Sequence, residues 1–235
     1  FTDLVAKGAI LSKKIGKGTA NMRRGPAMSR THAVMAVEAG VEVANTLAPE
    51  VDIFGTGEMG IGNTTPSTAI AAVLTGKPVA ELTGPGTGID DEQRQHKISV
   101  IEESIALNKP DPKDPIDILA KIGGFEIGTI AGLILGSAAQ KKPILVDGFI
   151  STAGALIACE LEPFARDYII CVHVSAGRGH RWMLERLRRK PRVQLCLRLG
   201  EGTGAALAMN LLEAAVAILT EVATFAEAGV SGSEA

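Results

Sequence analysis

Five short segments of this chain combine carboxylates, hydroxyls, histidines and a lysine with enough glycine to bring backbone close to a ligand. In Leu197-Arg198-Leu199-Gly200-Glu201-Gly202-Thr203-Gly204 a lone carboxylate stands between two glycines, after an apolar run and before an Ala/Leu-rich helical pattern. Glycines remove Cβ bulk and permit close approach, and a strand-to-helix corner turns backbone amides toward whatever binds. A carboxylate held there is badly placed for packing and well placed to take a proton, so Glu201 is read as a general base. The competing reading is an acidic first-turn residue that complements the helix dipole.

The second segment, Gly55-Thr56-Gly57-Glu58-Met59-Gly60, fits GxGxxG and has Glu81 about twenty residues on, the form of a dinucleotide fingerprint. Against that, Pro78-Val79-Ala80-Glu81-Leu82 makes a poor second strand. The loop also runs on through Gly62-Asn63-Thr64-Thr65, whose amides and hydroxyls suit a single phosphate at a helix N-terminus. A purely structural turn is the third reading. Gly84 to Asp91 is another glycine-rich turn, and Lys97, two turns into the helix after it, is within reach of a phosphate at the first loop. As an isolated helix-surface lysine it would simply be solvated. Asp147-Gly148-Phe149-Ile150-Ser151-Thr152 puts an acid directly after a buried strand. His173 to His180 does the same with hydroxyl and basic groups; a loop or helix cap would explain either equally well.

Parallel strands are the elements that would gather these segments. An apolar strand, a Gly/Ser/Thr turn and a helical pattern recur four times, with strands drawn at Val51–Phe54, Ile144–Val146, Tyr168–Val172 and Val193–Leu197. Near-continuous apolar strands separated by helices predict an α/β, Rossmann-like parallel sheet with helices on both faces. Ligands collect beyond the carboxyl ends of such strands, where all four turns fall. Helices are expected over Pro26 to Leu47, with Ser29 as N-cap, and over Asp90 to Leu107. Asn108 to Pro115 reads as a connection. Gly128, Gly132 and Gly136 recur every four residues, which predicts a close helix–helix contact. The expected division is a helical segment over 1–50, an α/β domain over 51–228 and a fraying tail over 229–235.

Composition narrows the function class. A chain of 235 residues with 46% hydrophobic content can bury a sizeable core, and its net charge of −2 argues against nucleic acid as a partner. The basic stretch Arg178 to Arg192 reads as a solvated helix face or an anion-facing edge. Three cysteines (Cys159, Cys171 and Cys196) without a CxxC suit a reducing, cytoplasmic setting and argue against a structural zinc. His32, His96, His173 and His180 lack metal-ligand spacing, and each reads as a surface or hydrogen-bonded core residue. The apolar stretch Ile127 to Ala139 is too short to span a bilayer. No signal peptide is visible, and the sequence starts at Phe1 rather than Met, so a preceding segment is left open.

The segments are more specific together than singly. Gly57-Glu58-Met59-Gly60-Ile61-Gly62-Asn63-Thr64-Thr65, Gly123-Gly124-Phe125-Glu126, Val146-Asp147-Gly148-Phe149-Ile150-Ser151 and Leu197-Arg198-Leu199-Gly200-Glu201-Gly202 occur in this order. In this they resemble the nicotinate-nucleotide–dimethylbenzimidazole phosphoribosyltransferase family, from about Ile15 to Phe225. The resemblance implies a Rossmann-like homodimer that needs no cofactor and no metal and moves phosphoribose from nicotinate mononucleotide to 5,6-dimethylbenzimidazole. It also implies that Glu201 is the base, that Gly60 and Lys97 contact phosphate, and that Ser175 and Leu199 line the pocket. Asn63 and Thr64 join the phosphate set, Asp147 and Gly148 the cleft, and Glu58 is a second acid near the ribose.

Two departures stand out. The family carries roughly a further half-length of preceding sequence that helps close the base pocket. Gly177 stands where the family's His-x-Ser-Ala-Glu-x-Gly-His has its glutamate. The alternatives to the transferase are a truncated, non-catalytic nucleotide-binding module and an NAD-dependent oxidoreductase using Gly55 to Gly60.

Overall fold

A computed structural model describes residues 2–84, 88, 90–175, 178–193 and 201–230. The elements run α1 (Thr2–Ala6), α2 (Arg30–Leu47), β1 (Phe54–Gly55), α3 (Thr64–Thr75), α4 (Val79–Leu82), α5 (Asp91–Asn108), α6 (Pro115–Ile122) and α7 (Phe125–Ala139). They continue as β2 (Ile144–Val146), α8 (Gly148–Leu161), a 3-10 turn (Pro163–Tyr168), β3 (Ile169–Cys171), α9 (His180–Leu187) and α10 (Thr203–Glu221).

Among the described residues the strands form one parallel sheet in the order β1-β2-β3, with Phe54 beside Ile144 and Ile144 beside Ile169. Successive side chains of a strand point to opposite faces. Ile144, Val146, Ile169 and Cys171 accordingly enter the main core with α3, α6, α7 and α8. Leu145 and Val172 face the other way and are covered by Ala205 and Ala208 of α10. Helices therefore lie on both faces, as the apolar strands predict.

The glycine stripe of α7 performs the expected close contact. A Cβ on Gly132 would overlap the Val37 carbonyl oxygen, one on Gly136 would meet the Ala44 methyl at 2.5 Å, and Gly40 of α2 is as tightly set against the Thr129 carbonyl. Backbone approach of this kind, with Ala33, Ala36 and Ala44 buried on α2, fixes α2 onto the core.

Several expected boundaries move. The first strand is Phe54–Gly55, where Val51–Phe54 was expected. The first long helix starts at Arg30, because the amides of Ala27 and Met28 pair instead with the carbonyls of Lys121 and Ala120, at 3.1 and 2.9 Å. Ser29 is its N-cap, its hydroxyl accepting from the His32 amide at 3.1 Å. Asp90 caps α5 in the same way through the Gln93 amide, at 2.8 Å. The fourth expected strand lies outside the described residues except for Val193, whose amide donates to the Val172 carbonyl at 3.0 Å.

The dinucleotide alternative loses its second strand. Val79–Leu82 is the short helix α4, started by Pro78, and the Arg94 guanidinium holds it by donating to the carbonyls of Ala80 (2.8 Å) and Thr83 (2.9 Å). Glu81 is therefore not at a strand end. Among the described residues one helix is long and apolar enough to cross a membrane by length and composition: the 19-residue α10, most of which is exposed. Sequence patterning points only to Ile127 to Ala139.

Candidate active site

The carboxyl ends of the strands bring the candidate residues into two groups. The first is built on the turn that carries Glu201. Both Glu201 (φ 66°) and Gly202 (φ 84°) adopt the left-handed conformation just before α10. For a residue with a side chain that conformation costs on the order of 1–2 kcal/mol, so packing has to maintain it. Gly57 supplies part of that packing: a Cβ there would meet the carbonyl carbon of Glu201 at 2.5 Å and the Gly202 Cα at 2.7 Å. Glycine at 57 thus lets the loop after β1 press directly on the Glu201–Gly202 peptide, while the Glu201 side chain itself is exposed.

Asp147 supplies the rest. Its carboxylate, 0% exposed, accepts from His173 Nε2 at 3.0 Å through Oδ1 and from the Gly204 amide at 2.9 Å through Oδ2. The His173 ring is 2% exposed, and its role as donor is assigned from the carboxylate opposite it. The Asp147 amide in turn donates to Thr56 Oγ1 at 3.2 Å, and that hydroxyl donates to the Leu145 carbonyl at 3.1 Å. Asp147 thus caps α10 rather than α8, the helix that follows it in sequence. Asp147 is expected at the substrate cleft; in the fold both of its carboxylate oxygens are bonded within the protein and its side chain is buried.

His180 performs a related task one layer away. Its Nδ1 accepts the Ser175 amide at 2.8 Å, so the ring proton sits on Nε2, 2.8 Å from Thr152 Oγ1. Thr152 Oγ1 donates onward to the Gly148 carbonyl at 2.6 Å. Burial pushes the His180 pKa down to about 4, with a smaller contribution from His173, so the ring is neutral at pH 7. Ser175 and Gly148, both expected at the cleft, are thereby joined through a neutral histidine.

The second group surrounds the N-terminus of α3. Lys97 Nζ donates to Thr64 Oγ1 at 2.6 Å, so the lysine on α5 and the first residue of α3 do meet. Burial lowers the Lys97 pKa. Asn63 precedes the helix without capping it; its amide side chain donates to the Glu58 carboxylate. Gly60 makes room for that pair, since a Cβ there would meet Asn63 Nδ2 at 2.5 Å. Desolvation raises the Glu58 pKa, the Asn63 hydrogen bond partly offsets it, and the negative charges of Glu126 and Glu201 raise it further. Met59 and Ile61 on the same loop are 83% and 102% exposed.

A cavity of about 300 Å³ lined by Val174, Ser175, Arg178, Arg181 and Trp182 adjoins the loop after β3. Lys77 lies over the Trp182 ring, 3.8 Å from its centroid, a cation–π contact. The basic stretch therefore turns part of its charge toward the strand-end edge.

Leu199, Gly177 and Cys196 lie outside the described residues. The residues that sequence reasoning missed are Thr56, Gly204 and Glu126, and the structural tasks of His173 and His180. Glu126 had a signal in Gly123-Gly124-Phe125-Glu126, and the histidines stood at the two ends of a flagged turn. Thr56 and Gly204 had none, because their partners are 91 and 57 residues away. Cys159 and Cys171 are buried thiols whose pKa values burial raises to about 11 and about 12. Among the described residues no group of three or more His, Cys, Asp or Glu side chains is arranged to hold a metal.

A parallel α/β sheet with a carboxylate turn and a lysine-backed helix N-terminus along one edge is the frame on which the sequence relationships can be read. A phosphoribosyltransferase family model matches residues 2–230, and the chain belongs to that family. It is 60% identical over 231 residues to the nicotinate-nucleotide–dimethylbenzimidazole phosphoribosyltransferase of Syntrophotalea carbinolica, covering 98% of this chain and 65% of that protein. The enzyme of the same name from Desulfotalea psychrophila is 58% identical, covering 99% of this chain and 66% of the relative. The crystal structure of CobT from Thermus thermophilus superposes with a TM-score of 0.88 at 43% identity, covering 94% of this chain and 66% of that one. The chain thus spans about two thirds of the length of the relatives it matches.

Proposed function

We propose that this chain transfers the phosphoribosyl group of nicotinate mononucleotide to 5,6-dimethylbenzimidazole, giving α-ribazole 5′-phosphate and nicotinate. The observation that carries the reading is the 60% identity, across 98% of this chain, to a relative of that name. The geometry of the strand-end edge supports it.

The donor's pyridinium is a built-in leaving group. As one benzimidazole nitrogen attacks C1′, the C1′–N bond to the pyridinium breaks and its electron pair stays on a neutral nicotinate ring. The acceptor's other nitrogen gives up its proton, and Glu201 is the group that takes it. Negative charge at Glu201 and Glu58 also favours the cationic ribosyl transition state. Gly60, Asn63, Thr64 and Lys97 hold the donor phosphate through the N-terminus of α3 and the Lys97 ammonium. Gly148 and Ser175 border the ring-binding cleft, and the family resemblance assigns Leu199 to the same role. This chemistry draws on no cofactor and no metal.

The working form is a cytoplasmic homodimer, in which exposed Leu207, Leu211, Ile218 and Leu219 of α10 supply an apolar surface for a second chain to cover. Light scattering that gives the mass of a single chain would remove the dimer. The test of the activity is chromatography of a reaction holding both substrates. α-Ribazole phosphate formed by the parent and lost in Glu201→Gln is the expected result; equal product from both removes Glu201 as the base.

A further inference from the structure

The turn bearing Glu201 has to hold a left-handed residue with a side chain in place at the molecular surface. The contact from Gly57 is steric: it stops the turn from moving inward and gives it no direction. Directional bonds come from the first turn of α10. There the Ala206 amide pairs with the Gly202 carbonyl at 2.9 Å, and the Gly204 amide with Asp147 Oδ2 at 2.9 Å. Only the second of these ties the turn to the rest of the protein.

Asp147 is itself fixed from three sides. His173 holds Oδ1 at 3.0 Å, Thr56 Oγ1 holds its amide at 3.2 Å, and Gly204 is packed so closely that a Cβ there would meet Oδ1 at 2.5 Å and His173 Cδ2 at 2.9 Å. With its side chain fully buried and both oxygens engaged, the Asp147 carboxylate has nothing left to offer a substrate.

We propose that Asp147 and His173 are positioning residues: the buried pair, anchored on β2 and the segment after β3, fixes the N-terminus of α10 and so aims the Glu201 carboxylate. The inference rests on Glu201 being the proton acceptor. A displacement of about 1 Å at a reacting group costs on the order of a hundredfold in rate. Loss of the pair therefore acts on turnover and leaves the donor phosphate site, built on α3 and α5, untouched.

Steady-state kinetics with nicotinate mononucleotide and dimethylbenzimidazole test this on the full chain, with thermal melts to establish folding. Asp147→Ala is expected to lower kcat about a hundredfold with donor KM changed less than twofold. Asp147→Asn keeps a carbonyl oxygen for the Gly204 amide and offers its NH2 to His173, whose Nε2 accepts once the ring proton moves to the otherwise unpartnered Nδ1, and it recovers kcat to within about fivefold of the parent. Where Asp147→Ala does not fold, His173→Leu and His173→Gln carry the same contrast, because glutamine restores a donor near Nε2.

A folded Asp147→Ala with kcat within twofold of the parent overturns the proposal. So does a donor KM that rises in step with the fall in kcat, which would make Asp147 a binding residue after all. If Asp147→Asn is as impaired as Asp147→Ala, the carboxylate's charge rather than its geometry matters, and the positioning role falls. Glu201→Gln separates the two levels. If that variant turns over normally, the reading of Glu201 fails and this inference with it. If it is inactive while Asp147→Ala is normal, the inference alone fails.

Discussion

The two halves of the strand-end edge are built in opposite ways. On the β2–β3 side Asp147, His173 and His180 are dry, and their side chains bond to Gly204, Ser175, Thr152 and one another, with His173 Nδ1 buried and without a described partner. On the β1 side the loop from Gly57 to Asn63 stands open, with Met59 and Ile61 exposed, and the Lys97 ammonium has a single hydroxyl as its described partner. The dry half locks geometry, since a buried polar group stripped of its hydrogen-bond partner costs about 1–3 kcal/mol. The open half keeps donors and a cation unspent for an anion. Catalytic groups need the first environment behind them and substrates need the second, and here Gly57 is where the two halves touch.

That contrast is most sharply tested at Glu201, which belongs to the locked half yet reaches solvent. Glu201→Gln should lower kcat about a thousandfold while calorimetric binding of nicotinate mononucleotide stays near that of the parent; loss of binding would shift Glu201 to the open, ligand-holding half. His180 follows. Its pKa is depressed from 6.5 to about 4 by burial, so the folded state favours the neutral ring. The stability this gives is fully present above about pH 6.5 and is lost as pH falls through about 4, some 3 kcal/mol in all. Urea melts between pH 7 and pH 4 should show that slope in the parent and a flatter one in His180→Gln; equal slopes would mean that His180 protonates freely.

On the open side the effects should appear in binding rather than folding. Lys97→Met is expected to raise donor KM about tenfold to a hundredfold with melting temperature unchanged or higher, because the variant no longer desolvates an ammonium. A drop in melting temperature with KM intact would assign Lys97 to the scaffold. The smallest effect is expected at Glu58. Its raised pKa means that the fold favours the protonated form, a contribution present at acid pH and lost as pH rises through the folded-state value. Glu58→Gln should therefore stabilise slightly at pH 7, by less than about 0.5 kcal/mol after solvent screening, and change nothing at pH 3.5. Stabilisation of the same size at both pH values would rule out ionisation as its cause.

Much of the dry half escaped a linear reading for a definite reason. The sequence flagged Asp147 as an acid after a buried strand, and local context pointed its carboxylate at a ligand. The structure gives that carboxylate a different occupation because α10 folds back over Leu145 and Val172 and delivers the Gly204 amide to it. Glu81 was misleading in the opposite sense: spacing offered it as a ribose-binding acid, whereas Pro78 and Arg94 make its segment a helix. Lys97 and Thr64 were legible because each sits at a helix position whose direction is set by its own local sequence.

By itself the sequence determined the parallel α/β architecture, the Ser29 cap, a close helix contact along the Gly128-Gly132-Gly136 stripe and the segments that make up the site. Each is written in apolar periodicity or in the side-chain chemistry of neighbours a few residues apart. Only the tertiary structure decided that Asp147 faces inward, that His180 is neutral, that Glu126 acts on Glu58, and that Gly57 bears on the Glu201 turn. Those facts depend on hydrogen bonds, desolvation and charge between residues tens of positions apart, and such distances are set when the sheet and its covering helices pack.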